Sequence, residues 1–242
     1  MKLQKDTGAS WNMRIELNAI STQAVNEIKE LAIFAEASKY IYQHFTSTAE
    51  DIRDVEIKPN VNYGVSVEEL IEQISNGTIT NKLYENVIVR AYGTLEVYIQ
   101  KVVSLIINEN TSIFLKGISI PLTTLIDGDI DKLIQGYINR SIFEKMSNKN
   151  MYDAISSVLK TLNVDLGLIS VHESDVRDIY ALRNLIAHKN CEIDSKFLEI
   201  YSHNSSLVVG EKLKIEYENM TSVVNRINKF MSAVHKTVAR IN

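Results

Sequence analysis

Between Thr80 and about Asn108, seven apolar side chains (Leu83, Val87, Ala91, Leu95, Ile99, Val102 and Ile106) recur at spacings of three and four. That spacing lines one face of an α-helix. A stripe of this length predicts a helix at the centre of a bundle, because so much apolar surface needs neighbours on it. Only 2 prolines and 9 glycines interrupt the 242 residues, so little in the backbone opposes long helices. The fold class expected is all-α: a multi-helix bundle with one small β-hairpin before its last helix.

Other segments fill in the bundle. Ala24, Ile28, Leu31, Ala35 and Tyr42 predict a helix over about 21–45. Glu56 to Gly64, with Pro59, Asn60 and Asn62, reads as a loop. Ser66-Val67-Glu68-Glu69 has the form of a capping box, opening a helix that Gly77 should close. The chain between Asn110 and Gly128 reads as irregular, and helices are expected near 129–145 and 150–162. Ser174 is the expected N-cap of a helix running to about Lys189. Leu207-Val208-Val209 and Leu213-Lys214-Ile215 around Gly210-Glu211 have the pattern of a hairpin. A closing helix follows over about 219–241. Two parts are expected: a helical extension over 1–75 and a helical domain over 76–242.

The net charge of −4 excludes wholesale electrostatic coating of nucleic acid and leaves room for a local basic pocket. Cys191, the one cysteine, cannot form an internal disulfide, which fits a reducing cytoplasm. The most apolar run, Tyr98 to Ile107, is interrupted by Gln100, Lys101 and Ser104 and falls short of the roughly 20 apolar residues of a membrane span. A cytoplasmic location, away from membranes, is the expectation. His172, His203 and His235 are scattered, without a Cys or His at metal-ligand spacing, so neither metal nor cofactor is expected.

The segment Tyr180-Ala181-Leu182-Arg183-Asn184-Leu185-Ile186-Ala187-His188 carries the chemistry. Arginine offers a permanent charge and a planar fork of donors that matches phosphate oxygens. Histidine can move a proton near neutral pH. Asn184 and His188, four apart, share one helix face. Arg183 starts off that face, but its side chain is long enough to reach round.

Arg183-Asn184-Leu185-Ile186-Ala187-His188 resembles the signature of the HEPN superfamily: Arg, a polar residue, then His after four to six intervening positions. Arg90-Ala91-Tyr92-Gly93-Thr94-Leu95-Glu96, an Arg followed by an apolar run ending in Leu-Glu, looks like the first core helix of several families in it. The tail after His188 is similar to the subgroup associated with RiboL-PSP and related defence loci. The resemblance covers roughly 80–242.

It implies a metal-independent endoribonuclease of a toxin–antitoxin or antiphage defence system. In such enzymes two motif helices meet in a homodimer, and the ribose 2′-hydroxyl attacks the adjacent phosphate to leave a 2′,3′-cyclic phosphate. On this chain the resemblance assigns proton transfer to His188, the scissile phosphate to Arg183 and orientation to Asn184. Glu96 would act as a supporting carboxylate and Lys189 would add to the phosphate field. The partners implied are RNA, a second copy of the chain and an antitoxin protein. Some HEPN toxins carry a tyrosine two residues after the histidine, which a partner modifies; here that position is Asn190.

The other reading is a catalytically silent bundle that serves as an interaction or RNA-binding module. On that reading Arg183 pairs with Asp178 or Glu192 and His188 ends a helix. Glu96 and Lys189 are then solvated flanks, Arg90 likewise, Cys191 a buried filler, and Tyr84, Tyr92 and Tyr98 packing rather than platforms for bases.

Overall fold

The computed structural model describes residues 7–52, 67–116, 130–147, 149–201 and 206–241. Its order is α1 (Thr7–Ile52), α2 (Val67–Ser75), α3 (Thr78–Glu109), α4 (Thr111–Phe114) and α5 (Ile130–Met146). There follow α6 (Met151–Thr161), α7 (Gly167–Ser170), α8 (Glu173–Lys189), α9 (Ser195–Ile200) and α10 (Tyr217–Val238). The chain is all-α, and no strand forms among the described residues.

Helix α3 is the axis on which α1, α2, α5, α6, α8 and α10 pack. Val87, Ala91, Leu95, Ile99, Val102 and Ile106 of its stripe are buried, with Tyr84, Ile88, Tyr98 and Leu105 on the same face and Tyr92, Val103 and Ile107 widening it to one side. A helix with so wide a buried face is a central one. Tyr84, Tyr92 and Tyr98 are therefore core residues, not platforms for bases. Tyr84 meets Tyr217 edge-on, and Tyr98 donates to the Met231 carbonyl at 3.2 Å.

Helix α1 runs well beyond the expected 21–45. Met13 and Leu17 continue the register of Ala24, Ile28, Leu31 and Ala35, and all six enter the same core as α3 and α10. Between α2 and α3 the turn is made by Gly77 at φ 77°, a conformation that glycine adopts without a Cβ penalty. Asn76 Oδ1 accepts from the Thr78 amide at 3.0 Å and so braces the start of α3. The expected loop at 56–64, Ser66 of the expected capping box, and residues 117–129 lie outside the described residues. Helix α6 starts on Asn150, whose side chain accepts from the Asp153 amide at 2.9 Å.

Two expectations are corrected. Helix α8 begins at Glu173 with His172 at the cap position, and Ser174 makes no cap. Asp175 faces Arg226 of α10 at 3.5 Å and lies 3.8 Å from the local His172 ring, so the tertiary ion pair with Arg226, not a hydroxyl cap, sets this end. The hairpin over 207–215 does not form. Its turn at Val209-Gly210, where Gly210 takes φ 89°, instead pairs with the segment after α8. Gly210 donates to Ile193 O at 2.8 Å, Ile193 to Glu211 O at 2.9 Å and Leu213 to Cys191 O at 2.8 Å. Docking on 191–193 satisfies backbone groups that a lone two-strand ribbon would leave to solvent.

Candidate functional site

Three contacts fix how the site is assembled. Lys82 Nζ at the start of α3 donates to Asn190 Oδ1 just past α8, at 2.9 Å. Further along α3, the Tyr92 ring lies 6.1 Å from that of Tyr180 near the middle of α8. Helices α3 and α8 are thus antiparallel. Helix α9 returns along α8: Asp194, before it, faces Lys189 at 3.7 Å, and Tyr201, after it, lies in the fields of Arg226 and Asp178. Asn190 closes α8 in the left-handed region at φ 48°, which Asn tolerates better than most side chains.

Between α3, α8, α9 and the α5–α6 junction lies a cavity of about 650 Å³. All five candidate residues line it: Arg183, Asn184 and His188 of the motif, with Glu96 and Lys189. Arg183 Nη1 donates to Asn184 Oδ1 at 3.0 Å and lies 3.5 Å from His188 Nε2. A guanidinium only donates, so this contact needs Nε2 to be the unprotonated ring nitrogen. The Arg183 head group also stands 6.0 Å over the Tyr92 ring. Arg183 is half-buried and His188 exposed. Asp178, buried, is within 4.0 Å of Arg226, so the Asp178–Arg183 pair expected of a purely structural arginine is not what holds Arg183.

The field around the cavity is basic despite the chain's net charge: Lys149, Arg183, Lys189 and Lys196 line it, against the carboxylates Glu96 and Asp194. Lys189 is shared between this field and its ion pair with Asp194. Burial raises the Glu96 carboxyl above its ordinary value, and the Arg183 charge opposes the shift. Burial likewise pushes the Tyr92 hydroxyl far up, reinforced by Glu96 and Tyr180 and opposed by Arg183. The Met151 backbone lies close enough to favour the phenolate slightly, yet Tyr92 Oη makes no hydrogen bond of acceptable geometry.

Other candidates stay apart. Arg90 is exposed and does not line the cavity. Cys191 is a buried filler whose thiol is pushed up to about 11, first by burial and then by Glu85. His172 packs edge-on to Phe230, and His235 Nδ1 is 2.8 Å from Ser21 Oγ. His203 is outside the described residues. Among the described residues no cluster of three or more His, Cys, Asp or Glu has metal-binding geometry. No described helix is long and apolar enough to cross a membrane.

Sequence reasoning missed Tyr180, Gln100, Met151 and Lys196, all of which line the cavity. Tyr180 carried a signal, because it lies one turn before Asn184 and so on the motif's own face. The other three reach the cavity only through tertiary packing. Comparison of the chain with family models, with curated proteins and with solved structures finds no match.

Proposed function

We propose that the chain is a HEPN-type endoribonuclease that cleaves RNA without a metal ion, acts as a homodimer and belongs to a toxin–antitoxin or antiphage defence system. One observation carries this reading: a single guanidinium, Arg183, gathers Asn184 and His188 at a basic cavity on an acidic protein.

The chemistry follows from these groups. The His188 imidazole accepts the 2′-hydroxyl proton while the 2′ oxygen attacks phosphorus. Arg183 offsets the charge that builds on the non-bridging phosphate oxygens. The bond to the 5′ oxygen breaks, and that oxygen takes a proton from a second imidazolium. One His188 cannot be base and acid in the same step, so the second proton carrier is His188 of a second copy, brought opposite by two-fold pairing of exposed motif edges. An antitoxin protein would act by covering that edge.

Arg183→Ala and His188→Ala are each expected to abolish RNA cleavage, and any growth arrest on expression, with the helical circular-dichroism spectrum retained. Full cleavage by both variants overturns the proposal and leaves a silent RNA-binding or interaction module.

A further inference from the structure

The cavity is far larger than a phosphate needs, and its two ends differ. His188, Lys189 and Asp194 lie at one end of α8, and Tyr180 lies eight residues back, about 12 Å at 1.5 Å per residue. Because α3 is antiparallel to α8 and Tyr92 sits beside Tyr180, Glu96 and Gln100 fall at the end remote from His188. Met151, at the start of α6, and Ile200, at the far end of α9, add apolar wall there. Arg183 stands between the ends. A volume near 650 Å³ is in the range that holds a whole small-molecule ligand.

We infer that the end formed by Tyr180, Glu96, Gln100 and Met151 is a base subsite that selects guanine in the nucleotide on the 5′ side of the scissile phosphate. The inference rests on the ribonuclease reading above and assigns that site its sequence preference. Half-buried Tyr180, backed by Tyr92, offers a ring against which an unstacked base can lie. The Glu96 carboxylate offers two acceptor oxygens side by side. Guanine is the base whose Watson–Crick edge presents two adjacent donors, N1–H and N2–H₂. Adenine and cytosine each set a ring acceptor beside one amino group, and uracil sets one N–H between two carbonyls, so a carboxylate meets repulsion in all three. Burial favours the protonated carboxyl at Glu96, and the nearby Arg183 charge opposes that, toward the accepting carboxylate form.

The test is calorimetric binding of 3′-GMP, 3′-AMP, 3′-CMP and 3′-UMP to the wild-type protein, together with mapping of cut sites on a random-sequence RNA. The expected result is 3′-GMP binding about tenfold or more tighter than the others, with guanosine enriched immediately 5′ of the cut. Glu96→Gln should reduce that preference to about twofold, because an amide offers one acceptor and one donor in place of two acceptors. Tyr180→Ala should weaken all four ligands, and Tyr180→Phe should restore them. Equal binding of all four, or none, alongside Arg183- and His188-dependent cleavage overturns the subsite and spares the ribonuclease. Selective 3′-GMP binding without cleavage supports the subsite and overturns the ribonuclease.

Discussion

The Arg183 guanidinium lies 6.0 Å from the centre of the Tyr92 ring, so an aromatic side chain of the central helix seats the arginine of the motif helix. The core of the bundle and the candidate site meet at this pair. Tyr92 is fully buried, and its hydroxyl has no hydrogen bond among the described residues. A buried hydroxyl without a partner costs about 1–3 kcal/mol. Tyr92→Phe keeps the ring under Arg183 and removes that cost. Thermal unfolding should therefore show an unchanged or higher Tm, by roughly 2–4 °C per kcal/mol for a chain of this size. A marked fall in Tm would mean that the hydroxyl is hydrogen-bonded to the Met151 backbone beside it.

Helix α8 is anchored to α10 by charge. Asp178 is 1 % exposed and lies 4.0 Å from Arg226, which Asp175 also approaches at 3.5 Å. Asp178→Ala leaves Arg226 with Asp175 at 3.5 Å, so it removes one charged contact without stranding the guanidinium. It should lower stability in urea unfolding by about 1.5–3 kcal/mol, the range of a hydrogen bond to a charged group. A loss under about 1 kcal/mol would show the pair to be effectively solvated.

The sign of the pH dependence at Glu96 follows from burial. Its carboxyl is raised above the ordinary 4.5, so the folded state holds that proton more tightly than the unfolded one. Its contribution to stability is fully present below the unfolded pKa and is lost as pH rises through the raised folded value. Relative to wild type, Glu96→Gln should gain stability as pH rises over that window. Denaturant titrations at a series of pH values would show it, and a relative loss with rising pH would contradict the assignment.

Burial and Glu85 push the Cys191 thiol up to about 11, and the residue is 1 % exposed. A thiol so placed forms little thiolate at pH 8. A colorimetric thiol reagent should react slowly with the native protein and promptly in denaturant. Prompt native reaction would point to opening of the segment that joins 191–193 to 210–213.

Local signals made the helices legible and long-range ones did not. The stripe from Leu83 to Ile106 marks α3 because its period is written in adjacent turns. Gly77 marks a stop because its φ of 77° is a backbone demand that sequence displays directly. The true length of α1 was less legible, since Trp11 and Ile15 are exposed apolar residues that blur the face set by Met13 and Leu17. The hairpin misled because the Val-Gly-Glu turn is real, while its pairing partner, Cys191 to Ile193, lies outside any local window. Within the site, Arg183, Asn184 and His188 fall within about one and a half turns of one helix and needed only helical geometry. Glu96 and Lys189 were legible as neighbours of the motif elements. Tyr180's place at the end of the cavity needed the antiparallel packing of α3 on α8.

A two-fold composite site requires a dimer at working concentration. Light scattering should give twice the chain mass, and Arg183→Ala mixed with His188→Ala should recover part of the lost cleavage if each subunit lends groups to a shared site. A stable monomer that cleaves RNA would remove the second His188 as proton donor.

The bond chemistry at Arg183 and His188 is recorded in the ends that cleavage leaves on the RNA. Wild-type protein incubated with RNA in EDTA should leave 2′,3′-cyclic phosphate and 5′-hydroxyl termini, with Arg183→Ala and His188→Ala leaving the RNA intact. Strict dependence on Mg²⁺, or products ending in 5′-phosphate, would contradict it.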